Sequence, residues 1–124
     1  MRINHVTILV KDAKIAKRFY NKVLGFEVLE KEKRLWIKIG KQFIHITDNS
    51  GKPVKGTFYH FSIEIKGLVK FISKLKNNGI KIFDVDIKTI GDKELDSNRN
   101  YFLRDPDGNL LEFIEANNSF FNPI

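Results

Sequence analysis

A pattern of strand, helix and three strands occurs twice in this 124-residue chain, and that repetition limits the architectures open to it more than any single motif does. Residues 3–10, INHVTILV, alternate as a strand, with Val6, Ile8 and Val10 on one face and His5, Thr7 and Leu9 on the other. Asp12 suits the N-cap of a helix reaching Leu24, along which Ile15, Phe19, Tyr20 and Val23 recur at helical spacing and after which Gly25 supplies the stop. Residues 26–30 and 35–39 read as two strands around the charged turn 31–33. After Gly40 and Lys41, residues 42–47 read as a fourth strand, with Ile44 and Ile46 on one face and Phe43 and His45 on the other.

Residues 49–56 combine Asn, Ser, Gly and Pro and read as a linker between a module at 1–48 and a second at 57–116. The pattern then restarts. Residues 57–65 form a strand with Tyr59, Phe61, Ile63 and Ile65 opposite His60, Ser62 and Glu64. A helix over 68–78 carries Leu68, Phe71, Ile72 and Leu75 along one stripe and stops at Asn78 and Gly79. Residues 80–87 read as a strand and 88–98 as a polar loop. Residues 101–115, YFLRDPDGNLLEFIE, read as a hairpin whose Asp105, Pro106, Asp107 and Gly108 suit a type I turn. The expected fold class is α+β: two βαβββ modules related by a pseudo-twofold, each a curved mixed sheet with one covering helix.

The repeat aligns the polar residues. His5 precedes Gly25 by twenty positions and His60 precedes Gly79 by nineteen, so the two histidines hold the same place in each half. Gly40 precedes His45 by five positions and Gly108 precedes Glu112 by four, which predicts a bulge or a difference in turn length. The apolar strand faces, Val6, Ile8, Ile44 and Ile46 in one half and Phe61, Ile63, Leu111 and Phe113 in the other, need the helices for burial. The opposite faces then carry His5 and His45, or His60 and Glu112. An isolated carboxylate among hydrophobic neighbours costs several kcal/mol unless a cation, a metal or a proton offsets it. If the halves associate about the pseudo-twofold, within one chain or across a dimer, these four side chains converge as a mixed N/O site for Zn²⁺, Ni²⁺, Fe²⁺ or Mn²⁺. All three histidines of the chain fall on these faces.

Composition narrows the remaining classes. With no Cys, neither a thiol nucleophile nor a disulfide is available. The net charge of +7 favours anionic partners, yet the lysines are scattered, and Lys66, Lys70, Lys74 and Lys76 read as the solvated side of one helix, so no nucleic-acid partner is expected. No signal-peptide core or bilayer-length apolar run occurs, so no membrane partner and a cytoplasmic location are expected.

The paired βαβββ modules, the opening NHVTILV with its helix and LGF, the second-half YHFSIEI and the closing YFLRDPDGNLLEF resemble the vicinal oxygen chelate superfamily of glyoxalases, bleomycin-resistance proteins and extradiol dioxygenases. By that resemblance His5, His60 and Glu112 match metal-ligand positions, and His45 lies where the first module often supplies a fourth ligand, a glutamate in bacterial glyoxalase I. The resemblance implies a divalent-metal enzyme that chelates vicinal oxygens of a small substrate and stabilises an enolate-like intermediate, as a lyase or isomerase, with Glu112 as base. It implies too that Thr7 stands beside the metal, as in fosfomycin-modifying members. Arg34, Lys38, Arg99 and Arg104 are candidates for an anion pocket. Alternatives are a non-catalytic drug or ligand binder with Trp36, Phe43 and Phe102 lining a groove, or a metal-dependent thiol transferase or epimerase. A homodimer is expected, with Phe120, Phe121 and Pro123 offering apolar surface to a partner.

Overall fold

A computed structural model describes residues 1–49, 51–53, 55–91 and 95–118 of the chain. The tail residues Phe120, Phe121 and Pro123, and parts of the linker and of the polar loop, lie outside the described residues. The chain divides into two compact units, Met1–Thr57 with Asp105–Asn109, and Phe58–Arg104 with Leu110–Ile124.

In the first unit the elements are β1 (His5–Leu9), α1 (Ala13–Arg18), β2 (Glu27–Lys31), β3 (Arg34–Ile39) and β4 (Gln42–Thr47). The strands form a mixed sheet in the order β1-β4-β3-β2, with β1 parallel to β4 and the rest antiparallel. Asp12 caps α1 by accepting from the Lys14 N–H at 2.8 Å. The helix does not run evenly to Leu24: Phe19–Val23 form a π-helical turn, closed by Leu24 N–H donating to the Phe19 carbonyl at 3.0 Å. Ala16, Phe19, Tyr20 and Leu24 are buried while Ile15 is exposed, so the buried stripe is centred one residue further on than the expected Ile15, Phe19, Tyr20 and Val23. Ile8, Ile44 and Ile46 are buried as expected, but Val6 is 42% exposed on an edge strand with one neighbour.

In the second unit β5 (His60–Ile65), α2 (Leu68–Asn77), β6 (Tyr101–Arg104) and β7 (Leu110–Glu115) form a three-stranded sheet in the order β5-β7-β6, covered by the helix. Leu68, Ile72 and Leu75 of α2 are buried, and Phe71 meets Phe113 with ring centroids 5.0 Å apart. No side chain of its own caps α2. Glu115 from β7 takes that role, its Oε1 accepting from Gly67 N at 3.1 Å and Leu68 N at 3.4 Å. Lys66, Lys70 and Lys74 are exposed.

The strand expected over 80–87 is reduced to bridges from Phe83 to Phe102 and Thr89. Its cause is local. Asp84 Oδ1 accepts from the backbone N–H groups of Asp86 and Lys88 at 2.9 and 3.0 Å, turning the chain back, and Ile87 sits at φ 59°. The second module therefore keeps the order of the first with one strand shortened to a bridge. Among the described residues no helix is long and apolar enough to cross a membrane.

Candidate metal centre

Register settles how the two halves correspond. In the first unit His5 pairs with Phe43, and His45 lies between Thr7 and Trp36. In the second, His60 pairs with Leu110, and Glu112 lies between Ser62 and Phe102. His45 and Glu112 thus occupy the same place on the same central strand, and the offset of one residue arises in the turns. Gly40 and Lys41 alone join β3 to β4, whereas Asp105–Asn109 join β6 to β7. No bulge is needed.

Asp105 organises that longer turn. Its Oδ1 accepts from Asp107 N and Asn109 N at 2.8 and 2.9 Å, and its Oδ2 accepts from Asn109 Nδ2 and the Tyr20 hydroxyl, each at 2.8 Å. Burial first, then the Asp105 carboxylate, push the Tyr20 hydroxyl well above its ordinary pKa of 10.0. The turn thereby fixes where β7, and with it Glu112, begins.

In the second unit the site is a tight cluster. Only 12% of the Glu112 side chain and 22% of the His60 side chain are exposed, and His60 Nε2 stands 3.5 Å from Glu112 Oε1. The Phe58 carbonyl lies 2.7 Å from His60 Nδ1 and can only accept, so Nδ1 carries a proton and Nε2 is the ring nitrogen that faces the carboxylate. Two electron-rich atoms facing each other call for a shared cation, either a proton or a metal ion. The spacing fits a metal: two donors about 2.1 Å from one ion at a tetrahedral angle stand about 3.4 Å apart. Glu112 is held further by Ser62, whose hydroxyl donates to Oε1, and by Asn100 Nδ2, which donates to Oε2 at 3.1 Å. Phe102 is 1% exposed and meets His60 edge-on at 5.4 Å, so it supports the imidazole from beneath rather than lining an open groove.

In the first unit His5 and His45 have ring centroids 6.2 Å apart. Trp36 lies against both, stacked on His45 at 4.7 Å and edge-on to His5 at 5.2 Å, and Phe43 adjoins Trp36 at 6.5 Å. Asn4 Oδ1 holds His5 Nδ1 at 2.8 Å and leaves Nε2 available. Burial, the Arg34 guanidinium and the His5 ring together lower the His45 pKa from 6.5, which favours the neutral imidazole a metal needs. Thr7 is exposed and in register with His45. Of the basic candidates, Lys38 stands 4.0 Å from Glu27, Arg104 pairs in register with Leu110 beside His60, and Arg99 is exposed outside the strands. Among the described residues no group of three or more His, Cys, Asp or Glu side chains is gathered to hold a metal ion; the four expected ligands stand as two pairs, His5 with His45 and His60 with Glu112.

Sequence reasoning missed Ser62, Asn100, Asn4 and the Phe58 carbonyl. Ser62 had a signal, since it follows His60 by two positions as Thr7 follows His5. Asn100 had none, because its approach to Glu112 depends on how β6 pairs with β7.

Known proteins share this chain's pattern. Virulence protein STM3117 of Salmonella typhimurium is 28% identical over 122 residues, covering 92% of this chain and 83% of that protein. Among solved structures, the fosfomycin resistance protein FosX of Listeria monocytogenes superposes with a TM-score of 0.69 at 18% identity, covering 93% of this chain and 90% of its own. TnmS3, an antibiotic binding protein from Streptomyces sp. CB03234, superposes with the same TM-score at 19% identity, covering 93% and 95%. At such identities the two structures establish the fold alone. The model of the Glyoxalase/Bleomycin resistance protein/Dioxygenase superfamily matches residues 2–113, nearly the whole chain. Members of this superfamily bind small molecules, typically use divalent metals and often form dimers. With two strand-helix-strand modules in register and a matched model spanning both, the chain belongs to the Glyoxalase/Bleomycin resistance protein/Dioxygenase superfamily.

Proposed function

We propose that this chain is a small divalent-metal-dependent enzyme acting on a small molecule with two neighbouring oxygens, as a lyase or isomerase of the glyoxalase kind. The observation that carries the reading is the facing pair of His60 Nε2 and Glu112 Oε1 at 3.5 Å. His5, His45, His60 and Glu112 would hold the ion, and Zn²⁺, Ni²⁺, Fe²⁺ and Mn²⁺ all accept imidazole with carboxylate. A divalent ion held there would supply Lewis-acid stabilisation of the negative charge that develops on the substrate as its proton is removed. The chain's own residues do the rest. The Phe58 carbonyl and the Asn4 amide fix two imidazoles in the tautomer that presents Nε2. Trp36 stacks on one face of His45 and holds the orientation of its ring. Glu112, the one carboxylate of the set, takes a proton from a substrate carbon and returns it to the neighbouring one. The Thr7 hydroxyl donates to a substrate oxygen.

A second reading is a binder that sequesters a planar, drug-like molecule without turnover. The likeness to an antibiotic binding protein and the exposure of Phe58, at 51%, favour it. One experiment separates the two. The protein is loaded with each ion in turn and assayed for glyoxalase, epimerase and thiol-transfer reactions, with Trp36 fluorescence followed alongside. Turnover abolished by a chelator and by Glu112→Gln supports the enzyme. A fluorescence change with an aromatic drug-like ligand and no turnover with any ion overturns it in favour of the binder.

A further inference from the structure

Both oxygens of Glu112 are committed to neighbours that no comparison or motif assigns to the site. Ser62 Oγ donates to Oε1, the oxygen that faces His60, and Asn100 Nδ2 donates to Oε2 at 3.1 Å. These donors come from opposite sides. Ser62 stands on β5, in register with Glu112, and Asn100 immediately precedes β6 on the far side of β7. A carboxylate on an unbranched three-torsion side chain samples several rotamers unless hydrogen bonds select one. Two donors from flanking segments select one and aim Oε1 at the imidazole. In the first unit the place of Glu112 is taken by His45, a stiffer ring stacked on Trp36, and the place of Ser62 by Thr7, so a hydroxyl stands beside the central strand in both halves.

We infer that Ser62 and Asn100 are positioning residues for a metal ligand: they hold Glu112 in its ligating orientation, in the way that partners of ligating carboxylates do in metalloproteins generally. The inference rests on the metal reading proposed above and extends it to residues that touch neither ion nor substrate. Loss of such a partner typically weakens metal affinity about 10- to 100-fold.

The test uses the full-length protein with metal removed, titrated calorimetrically with Zn²⁺ and with Ni²⁺ alone, in the parent, Ser62→Ala, Asn100→Ala and Ser62→Thr. Crystal structures of the metal-free parent and Ser62→Ala accompany the titrations. The expected result is a loss of affinity of about 10- to 100-fold in each alanine variant, with Ser62→Thr close to the parent because its hydroxyl is retained. A purely structural role would lower the melting temperature and leave the affinity of the folded protein unchanged, which overturns the inference. If the parent itself takes up no metal, the metal reading fails, and the crystal structures alone decide the positioning claim. A Glu112 carboxylate that turns away from His60 in Ser62→Ala upholds it; one that keeps its place refutes it.

Discussion

His45 differs in kind from the carboxylate that holds the matching place in the second unit, and the difference governs its response to acid. Burial, the Arg34 charge and the His5 ring lower its pKa from 6.5 in the folded protein. As pH falls the unfolded chain therefore takes up this proton first, so stability is lost from about pH 6.5 down to the lowered folded value and is untouched by this group above that window. Melting temperatures at about pH 7.5 and about pH 5 should show a smaller fall in His45→Gln than in the parent. An equal fall in both would place the acid sensitivity elsewhere. His5, His60 and Glu112 were legible as a set because the repeat puts them on one kind of strand face. Ser62 was legible only through its match to Thr7 in the repeat, and Asn100 not at all, because nothing in a single strand's pattern says which side chains its neighbours will bring alongside.

At the level of elements, turns decide more than strands do. The β6–β7 turn was readable from Asp105, Pro106, Asp107 and Gly108, but its anchor was not, since Tyr20 lies 85 positions away. Tyr20→Phe removes one of four hydrogen bonds to the Asp105 carboxylate and should cost about 1 to 3 kcal/mol, measured by urea unfolding. A loss below that range would mean that the donors of Asp107 and Asn109 hold the turn without Tyr20. The β2–β3 turn is the opposite case. Glu32 and Lys33 both adopt positive φ, 53° and 61°, as a type I′ turn requires, with side chains that pay a steric cost there. Replacing them together, Glu32→Asn with Lys33→Gly, should raise stability by about 1 kcal/mol, read from the same unfolding curves. The segment over 80–87 escaped the sequence reading because the alternation of Ile80 and Ile82 about Lys81 matches a strand until Asp84 bonds the backbone ahead of it. The π-helical turn in α1's continuation likewise left no mark in the spacing of apolar residues.

For the whole molecule, the repeat was the most legible feature and the register made it stricter. The positions flanking His45 and Glu112 correspond strand by strand, Thr7 with Ser62 and Trp36 with Phe102, although the turns between them differ in length. Substrate identity left no comparable signature, because it depends on side chains that vary within one backbone plan. A homodimer is proposed from superfamily membership, and sedimentation at micromolar concentration should give twice the mass of one chain, 14.5 kDa; a single-chain mass would contradict it. The proposed role of His5, His45, His60 and Glu112 is to hold a metal. Its most direct test is metal content by plasma mass spectrometry on tag-free protein, after exposure to Zn²⁺, Ni²⁺, Fe²⁺ and Mn²⁺ and exhaustive dialysis, with His60→Ala and Glu112→Gln in parallel. Near-stoichiometric metal in the parent that falls in both variants is the predicted result. A parent that retains none, or variants that retain as much as the parent, would contradict it.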